Sequence, residues 1–128
     1  MNKPMPSTPK TIRTFRDLVV WQRGKALVKA VYSETRAMPE DERFGLTNQM
    51  RRAAVSVPSN VAEGFGQGSR SAYLRHLRIA RGSLMELDTQ YELAFEMEMI
   101  RRSPETIDLI AETDRLLQAL IRSLQGNA

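Results

Sequence analysis

Residues 49–63 of the chain read QMRRAAVSVPSNVAE, and residues 64–69 continue as GFGQGS. Apolar residues in and just before this stretch recur every three or four positions, which is the spacing of one face of an α-helix: Leu46, Met50, Ala53, Val57 and Val61. Pro58 lacks a backbone N–H, so we expect it to bend or break that helix. The glycines that follow are expected to reverse the chain: Gly64, Gly66 and Gly68. This stretch contains no cluster of catalytic residues and instead predicts how the helices are arranged. Function is therefore expected to depend on the protein's surfaces and on its assembly.

Composition indicates one domain of an ordinary soluble protein. The chain has 128 residues, of which 41% are hydrophobic and 27% charged. It has no cysteine, which excludes a disulfide framework, a thiolate metal site and a cysteine nucleophile. No apolar run is long enough for a transmembrane helix, and the N-terminal MNKPMPSTPKTIRT lacks the apolar core of a secretory signal. We expect a cytoplasmic protein with a disordered arm over residues 1–14, a helical bundle over 15–125 and a tail over 126–128.

Charge is distributed unevenly along the chain. The net charge is +4, but residues 1–81 hold 15 Lys and Arg against 6 Asp and Glu, whereas residues 82–128 hold 4 against 9. Such a split suggests an anionic partner for one surface. Complementary charges packed within a bundle or between subunits would explain the split equally well, without any ligand.

The first two helices are predicted over residues 17–37 and 46–63. Thr14 or Asp17 is expected to cap the first helix. Its apolar stripe is predicted to consist of Leu18, Trp21, Val28 and Val31, with Val20 and Leu27 beside it. The loop PEDERFG connects it to the second helix.

The third and fourth helices show heptad spacing. Ser69 or Ser71 is expected to cap the third helix, which can run to about residue 99. Its apolar positions alternate steps of four and three: Tyr73, Leu77, Ala80, Leu84, Leu87, Tyr91 and Ala94. Ser103, Pro104 and Glu105 predict the start of the fourth helix as a cap, a first-position proline and an acidic residue. Its stripe alternates in the same way: Ile107, Ile110, Asp114, Leu117, Ile121 and Leu124.

Four helices with short connections predict an all-α, antiparallel up-down-up-down bundle. The fourth helix carries a second stripe of Leu109, Leu116 and Leu120, and the first helix also has apolar residues on more than one face. Two apolar faces on one helix exceed what a monomeric bundle buries, so we expect a homo-oligomer. A monomer with wide apolar stripes is the alternative.

Three ordered motifs resemble those of a known family, the four-helix-bundle proteins encoded in intervening sequences of bacterial 23S ribosomal RNA genes. They are FRDLVVWQ at residues 15–22, FGLTNQMRRAAVSVPSNVAEG at 44–64 and ARGSLMEL at 80–87, and the resemblance covers about residues 15–124. The family includes the accessory variability protein of diversity-generating retroelements, which works with a reverse transcriptase. The resemblance implies a left-handed antiparallel bundle that assembles into a ring-like homopentamer with a basic surface. It implies nucleic-acid binding in the retroelement branch and no established enzymatic activity.

Two sets of polar residues are candidates for function. A structural polar network is predicted because buried polar groups must be satisfied: Gln49, Arg52, Asn60, Glu63, Arg81 and Glu86. Ligand binding by some of these residues is the alternative. Phosphate binding is predicted for arginines of the second and third helices: Arg51, Arg70, Arg75 and Arg78. A solvated helix face is the alternative for this second set, which lacks interleaved aromatic residues for base stacking.

Catalysis is not expected, because no nucleophile–base pair, paired carboxylates or metal-ligand cluster stands out. His76 is the single histidine and lacks ligands at metal-binding spacing. Trp21 and Tyr32 are interpreted as core or interface anchors. No cofactor is expected. The leading hypothesis is a non-catalytic oligomer that binds RNA or DNA through its basic surface. The alternatives are a protein-binding scaffold that uses the acidic surface of the third and fourth helices, and a structural oligomer with neither role.

Overall fold

The computed structural model of the protein describes residues 11–126, which form four α-helices and, within that range, no β-strand. The helices are α1 (Val19–Glu34), α2 (Leu46–Gly66), α3 (Arg70–Glu96) and α4 (Pro104–Gly126). The all-α prediction with four helices is therefore confirmed. Most of the predicted arm over residues 1–14 and the end of the predicted tail lie outside the described residues.

The first predicted helix consists of three pieces in the structure. The 3-10 helix Phe15–Asp17 precedes α1, and the 3-10 helix Thr35–Ala37 follows it. Thr14 caps the first piece: its hydroxyl accepts from the Arg16 N–H at 3.1 Å, and the Asp17 carboxylate accepts from the Thr14 N–H at 3.1 Å. The predicted caps thus serve the 3-10 helix, and α1 begins after Leu18 without a side-chain cap.

The buried face of α1 differs from the predicted stripe. The buried positions are Val20, Gly24, Leu27 and Val31, while Leu18, Trp21 and Val28 are partly buried. Gly24 explains the difference, because a Cβ built there would lie 3.3 Å from the Cβ of Pro58. The helix α2 therefore approaches α1 at Gly24, and the residues on the same face as this glycine become the core positions.

The helix α2 continues through Pro58, so of the two predicted outcomes, a bend or a break, the break is wrong and the bend stays a prediction. Pro58 is buried inside the helix, and α2 runs on through Gly64 and Gly66. The proline ring packs against the bare backbone of Gly24, which provides apolar contact in place of the lost hydrogen bond. Gly68, with φ of 80°, is the glycine that reverses the chain.

The helix α3 follows its predicted pattern closely. Ser69 caps it, because its hydroxyl accepts from the Ala72 N–H at 3.2 Å. Every seam position is buried apart from Tyr73, which is partly buried: Leu77, Ala80, Leu84, Leu87, Tyr91 and Ala94. Gly64 allows α2 to lie against this helix, since a Cβ there would lie 2.7 Å from the Cβ of His76.

The helix α4 begins as predicted but buries a different set of residues. The Ser103 hydroxyl accepts from the Thr106 N–H at 3.2 Å, and Pro104 is the first helical residue. The buried positions are Thr106, Ile110, Thr113 and Leu117, whereas Ile107 of the predicted stripe is 40% exposed. Thr106 is buried because its hydroxyl donates to the Glu34 carboxylate of α1.

Each helix contacts the helices before and after it, and α4 also contacts α1; the α2–α3 contact is the most extensive. Residue numbers rise along one helix while they fall along its neighbour. The contacts that show this are Ser56–Ser83 and Asn60–His76, Arg23–Glu112 and Glu34–Thr106, and Arg81–Asp114 and Tyr91–Ser103. Within residues 11–126, none of the helices is both long and apolar enough to cross a membrane.

Candidate nucleic-acid interface

The first candidate surface is a groove of about 610 Å³ between α1 and α2. We call it the α1–α2 groove. Its lining combines three arginines, two aromatic rings and several small polar residues: Tyr32, Arg43, Phe44, Thr47, Asn48, Arg51, Arg52, Val55 and Ser56. None of these lining residues is acidic. Such a surface is suited to an anionic ligand that also has flat apolar faces.

Arg51 is held in place at the wall of this groove. Its Nε donates to the Thr35 hydroxyl at 2.8 Å, and the Thr35 hydroxyl donates to the Val31 carbonyl at 2.7 Å. The guanidinium carbon of Arg51 lies 4.6 Å from the centre of the Tyr32 ring, which is cation–π distance. The positive charge of Arg51 is therefore fixed in advance of any ligand.

Arg43 and Arg52 add charges that are free to reorient. Arg52 is exposed and forms no hydrogen bond or ion pair with the residues that the structure describes. Arg43 pairs with Glu40 at 3.2 Å, but both side chains are largely exposed and such a pair contributes little. The Arg43 guanidinium lies 4.9 Å from the centre of the Phe44 ring, and Phe44 is 84% exposed.

A second basic groove, of about 550 Å³, lies between α3 and α4. We call it the α3–α4 groove, and it is lined by Arg78, Arg81, Gly82, Met85, Gln118, Ile121 and Arg122. Arg81 donates to Asp114 at 2.7 Å, and this hydrogen bond, together with the charge of Asp114, raises the pKa of Arg81. Its charge is therefore largely compensated, and Arg78 and Arg122 are the exposed cations of the groove.

The four predicted phosphate-binding residues do not share one groove. Arg51 lines the α1–α2 groove and Arg78 the α3–α4 groove, while Arg70 and Arg75 are exposed on α3 outside both. Because the grooves belong to different helix pairs, a single short ligand on one protomer cannot contact all four arginines. Their role in binding stays a prediction.

The six predicted network residues are also separated. Arg81 bonds to Asp114, Glu86 accepts from Gln90 at 3.4 Å, and Arg52 is exposed. Gln49 is exposed on α2. The prediction that these residues form a single network is therefore corrected. Their positions on different helical faces direct the side chains to different neighbours.

Asn60 anchors a smaller polar cluster between α2 and α3. Its Nδ2 donates to the carbonyl of Ser56 at 2.9 Å and to the Ser56 hydroxyl at 3.0 Å. Its Oδ1 lies 3.0 Å from His76 Nδ1, which must therefore carry the proton in this bond. Ser56 also bonds to Ser83 at 2.8 Å, and Glu63 approaches His76 Nε2 to 4.0 Å. His76 is 5% exposed and belongs to this structural cluster.

Sequence reasoning missed Arg43 and Phe44 and assigned Tyr32 to anchoring. The adjacent Arg-Phe pair in a loop was the available signal for the first two. Only the packing of α1 against α2 places that loop beside Arg51 and Tyr32. Clusters of three or more residues able to hold a metal ion do not occur among residues 11–126.

A cavity of about 1120 Å³ with mixed charges also borders the C-terminal end of α1, where Ser33 and Glu34 line it together with the end of α3. Its lining includes Glu34, Glu96 and Glu98 as well as Arg101 and Arg102. Earlier in α3 and outside this lining, Asp88 has a raised pKa, because of burial first and the charges of Glu92 and Asp114 second. This region contains the acidic surface considered above for a protein partner, but its cavity carries both signs of charge.

Comparison with known proteins gives one family. The family model described as 23S rRNA-intervening sequence protein matches residues 16–122, from the 3-10 helix before α1 to the last turns of α4. No curated protein matches the chain significantly.

Proposed function

Because the chain belongs to the 23S rRNA-intervening sequence protein family, as its three motifs predicted, we propose that it is a non-catalytic helical protein that binds RNA or DNA. The α1–α2 groove is the observation that carries this proposal. It brings Arg43, Arg51 and Arg52 together without an acidic neighbour in its lining. Guanidinium groups that remain charged and offer several donors are suited to the phosphates of a nucleic-acid backbone.

The proposal includes an antiparallel up-down-up-down bundle that assembles as a homopentamer in the cytoplasm. Opposed residue numbering in the contacting helix pairs supports the antiparallel arrangement. Exposed apolar side chains on α1, α3 and α4 that lie outside the α1–α2 groove support self-association: Val19, Ile79, Met85, Leu93 and Ile107. The number five rests on the family resemblance. In an oligomer each basic groove is repeated, so weak phosphate contacts add by avidity.

Fluorescence anisotropy with labelled RNA and DNA tests nucleic-acid binding. We expect binding that tolerates sequence changes and weakens steeply as salt rises, because cations released from the phosphates drive association. Arg52→Glu should weaken binding by about tenfold or more at low salt, as expected for a reversed phosphate contact. Arg115→Glu is the matched control, since Arg115 is exposed on α4 and lines neither groove. Absence of wild-type binding at low salt would overturn the proposal.

The double variant Arg75→Glu, Arg78→Glu tests the outer face of α3. We expect it to weaken binding while leaving helicity and oligomer mass intact, because both side chains are exposed and one turn apart, so they can add phosphate contacts to those of the α1–α2 groove. If the double variant binds as well as wild type while Arg52→Glu does not, the interface is confined to the α1–α2 groove.

A protein-binding scaffold is the second candidate function. The observation that favours it is the end of α3, where Leu93, Phe95 and Met97 are exposed beside Glu92 and Glu96. An apolar patch with acidic residues at its margin suits a basic amphipathic partner. Purification of the protein from its own cells, with analysis of both bound nucleic acid and bound protein, distinguishes the two functions.

A further inference from the structure

We propose that the α1–α2 groove is selective for single-stranded nucleic acid and that the Phe44 ring is the surface on which an unpaired base stacks. This inference rests on the proposed function and narrows it to one ligand class. It is argued from the exposure of Phe44, from the cations around it and from an unpaired hydroxyl in the groove.

Phe44 presents an unusually open aromatic surface. It is 84% exposed, whereas Phe95 is 38% exposed and Phe15 and Phe65 are partly buried. One exposed apolar residue means little by itself, because such residues are common on protein surfaces. The position of Phe44 in a cationic groove is what gives its exposure significance.

The cations around Phe44 complete a stacking platform. Arg43 lies over one face of the ring at 4.9 Å, and the high exposure of Phe44 leaves ring surface open to a ligand. Arg51 lies over the Tyr32 ring at 4.6 Å in a similar way, but Tyr32 is only 41% exposed, so Phe44 offers the larger open ring surface. Proteins that bind single strands combine positive charge along the backbone with aromatic rings against which bases stack. In a duplex the base faces are already stacked on one another, so a protein ring has no free face to contact.

Thr47 provides an independent sign that the groove accepts a polar ligand. Thr47 is 6% exposed, it lines the groove, and its hydroxyl has no hydrogen-bond partner within residues 11–126. A buried hydroxyl without a partner is costly, so a ligand that reaches it gains by pairing with it. The adjacent Asn48 amide is exposed and lines the same groove. An unpaired base has free hydrogen-bonding edges that these two side chains can meet, whereas the edges of a paired base are engaged.

The test compares labelled single-stranded RNA and DNA with a blunt-ended duplex of two complementary strands that has the same total number of phosphates. The full-length protein is used at low and moderate salt. Phe44→Ala removes the ring, and Phe44→Trp keeps an aromatic surface. Phe95→Ala is the matched control, because Phe95 also lies under an arginine, with Arg102 at 4.1 Å, but lines a different cavity and not the α1–α2 groove. Circular dichroism of each variant confirms that helicity is retained.

We expect wild-type protein to bind the single strands at least tenfold more tightly than the duplex. Phe44→Ala should weaken single-strand binding by about tenfold or more, in the range measured when one base-stacking ring is removed, and leave duplex binding unchanged. Phe44→Trp and Phe95→Ala should bind like wild type.

The outcomes separate this inference from the proposed function. If no probe binds at low salt, nucleic-acid binding fails and single-strand selectivity fails with it. If the duplex binds as tightly as the single strands, or if Phe44→Ala weakens both probes equally, selectivity is overturned while nucleic-acid binding stands.

Discussion

The Asn60 side chain connects α2 to α3 by using every polar atom of its amide. It donates twice to Ser56 and accepts from His76, and Ser56 extends the contact to Ser83. The cluster lies beside Pro58, where the helix lacks one backbone donor. These hydrogen bonds therefore stabilise α2 and its contact with α3 at the point where the helix itself is weakest.

Asn60→Ala is expected to lower the free energy of unfolding by about 1–3 kcal/mol, because it leaves buried polar groups without partners. The corresponding loss in melting temperature is several degrees, on the order of 3–10 °C for a chain of this size. Gln67→Ala is the control, since Gln67 is exposed after the end of α2. Thermal unfolding followed by circular dichroism measures both, and equal, negligible shifts would show that the cluster is not stabilising.

Ionisation of Tyr91 makes the stability of the fold depend on pH in the alkaline range. It is 2% exposed, its hydroxyl donates to Glu34 at 2.5 Å, and its oxygen accepts from the Ser103 N–H at 2.9 Å. Burial, followed by the hydrogen bond to Glu34, raises the pKa of Tyr91 to about 12. Since the unfolded chain ionises near pH 10, the folded state holds more protons between about pH 10 and 12. The contribution of Tyr91 to stability is fully present below pH 10 and is lost across that window.

Urea unfolding at pH 7, 10 and 11 tests this coupling. Wild-type protein should lose stability between pH 10 and 11 more steeply than Tyr91→Phe, which has no phenol to ionise at this position. At pH 7 the variant should be less stable by about 1–2 kcal/mol, because Glu34 and the Ser103 N–H lose their partner. If the stability of wild type and that of Tyr91→Phe fell in parallel as pH rises, Tyr91 would not be the group responsible.

At the scale of the helices, glycine decides where two backbones can approach. Gly64 sits where a Cβ would lie 2.7 Å from the Cβ of His76, whereas Gly82 in α3 has nothing within 4 Å of its hypothetical Cβ. Both residues are inside helices, where alanine is intrinsically favoured by about 1 kcal/mol. The surroundings of each glycine therefore determine whether its replacement by alanine stabilises or destabilises the protein.

We expect Gly64→Ala to destabilise the protein by about 1–3 kcal/mol, the usual cost of forcing extra volume into a packed contact. Gly82→Ala should stabilise it by about 0.5–1 kcal/mol through helix propensity alone. Chemical denaturation of the pair measures the difference, and a stabilising Gly64→Ala would mean that α2 and α3 can separate at little cost.

The agreement between sequence and structure varies from helix to helix for physical reasons. The α3 seam was predictable because its apolar residues keep one heptad spacing throughout. The α1 face was not, because Gly24 carries no apolar signal and yet marks the close approach of Pro58. In α4, Thr106 is buried because its hydroxyl has a partner on another helix, which periodicity cannot indicate.

The candidate interface was predictable in composition but not in geometry. Arg51 and Arg78 are recognisable as exposed or half-exposed cations, yet their assignment to different grooves depends on which helices pack together. Phe44 lies in a loop without periodicity, so nothing in the local pattern places it beside Arg51. Tertiary packing determined both features.

At the scale of the whole molecule, the uneven charge is partly neutralised inside the protomer. Arg23 pairs with Glu112 at 3.1 Å and Arg81 with Asp114 at 2.7 Å, and each pair joins the basic and the acidic part of the chain. Complementary packing therefore accounts for some of the split. The arginines of the α1–α2 groove have no such partner on α4 among the described residues, so the anionic-ligand interpretation continues to apply to them.

The mass of the protein in solution tests whether it forms an oligomer. Light scattering across micromolar concentrations is expected to give about five times the protomer mass of 14.6 kDa, the number that the family resemblance implies, and burial of exposed apolar side chains between copies would stabilise such an oligomer. A constant mass of 14.6 kDa would show that these side chains are tolerated on a monomer.

The extensive contact between α2 and α3 has a consequence for the order of folding. The two helices are separated by residues 67–69 alone, so their meeting requires the closure of a very short loop. Docking of α4 on α1 joins residues as distant as Arg23 and Glu112 and has a larger entropic barrier. We therefore predict that the α2–α3 hairpin forms the folding nucleus, in which case Gly64→Ala should slow refolding in stopped-flow experiments. Loss of the Arg23–Glu112 pair should instead act mainly by accelerating unfolding.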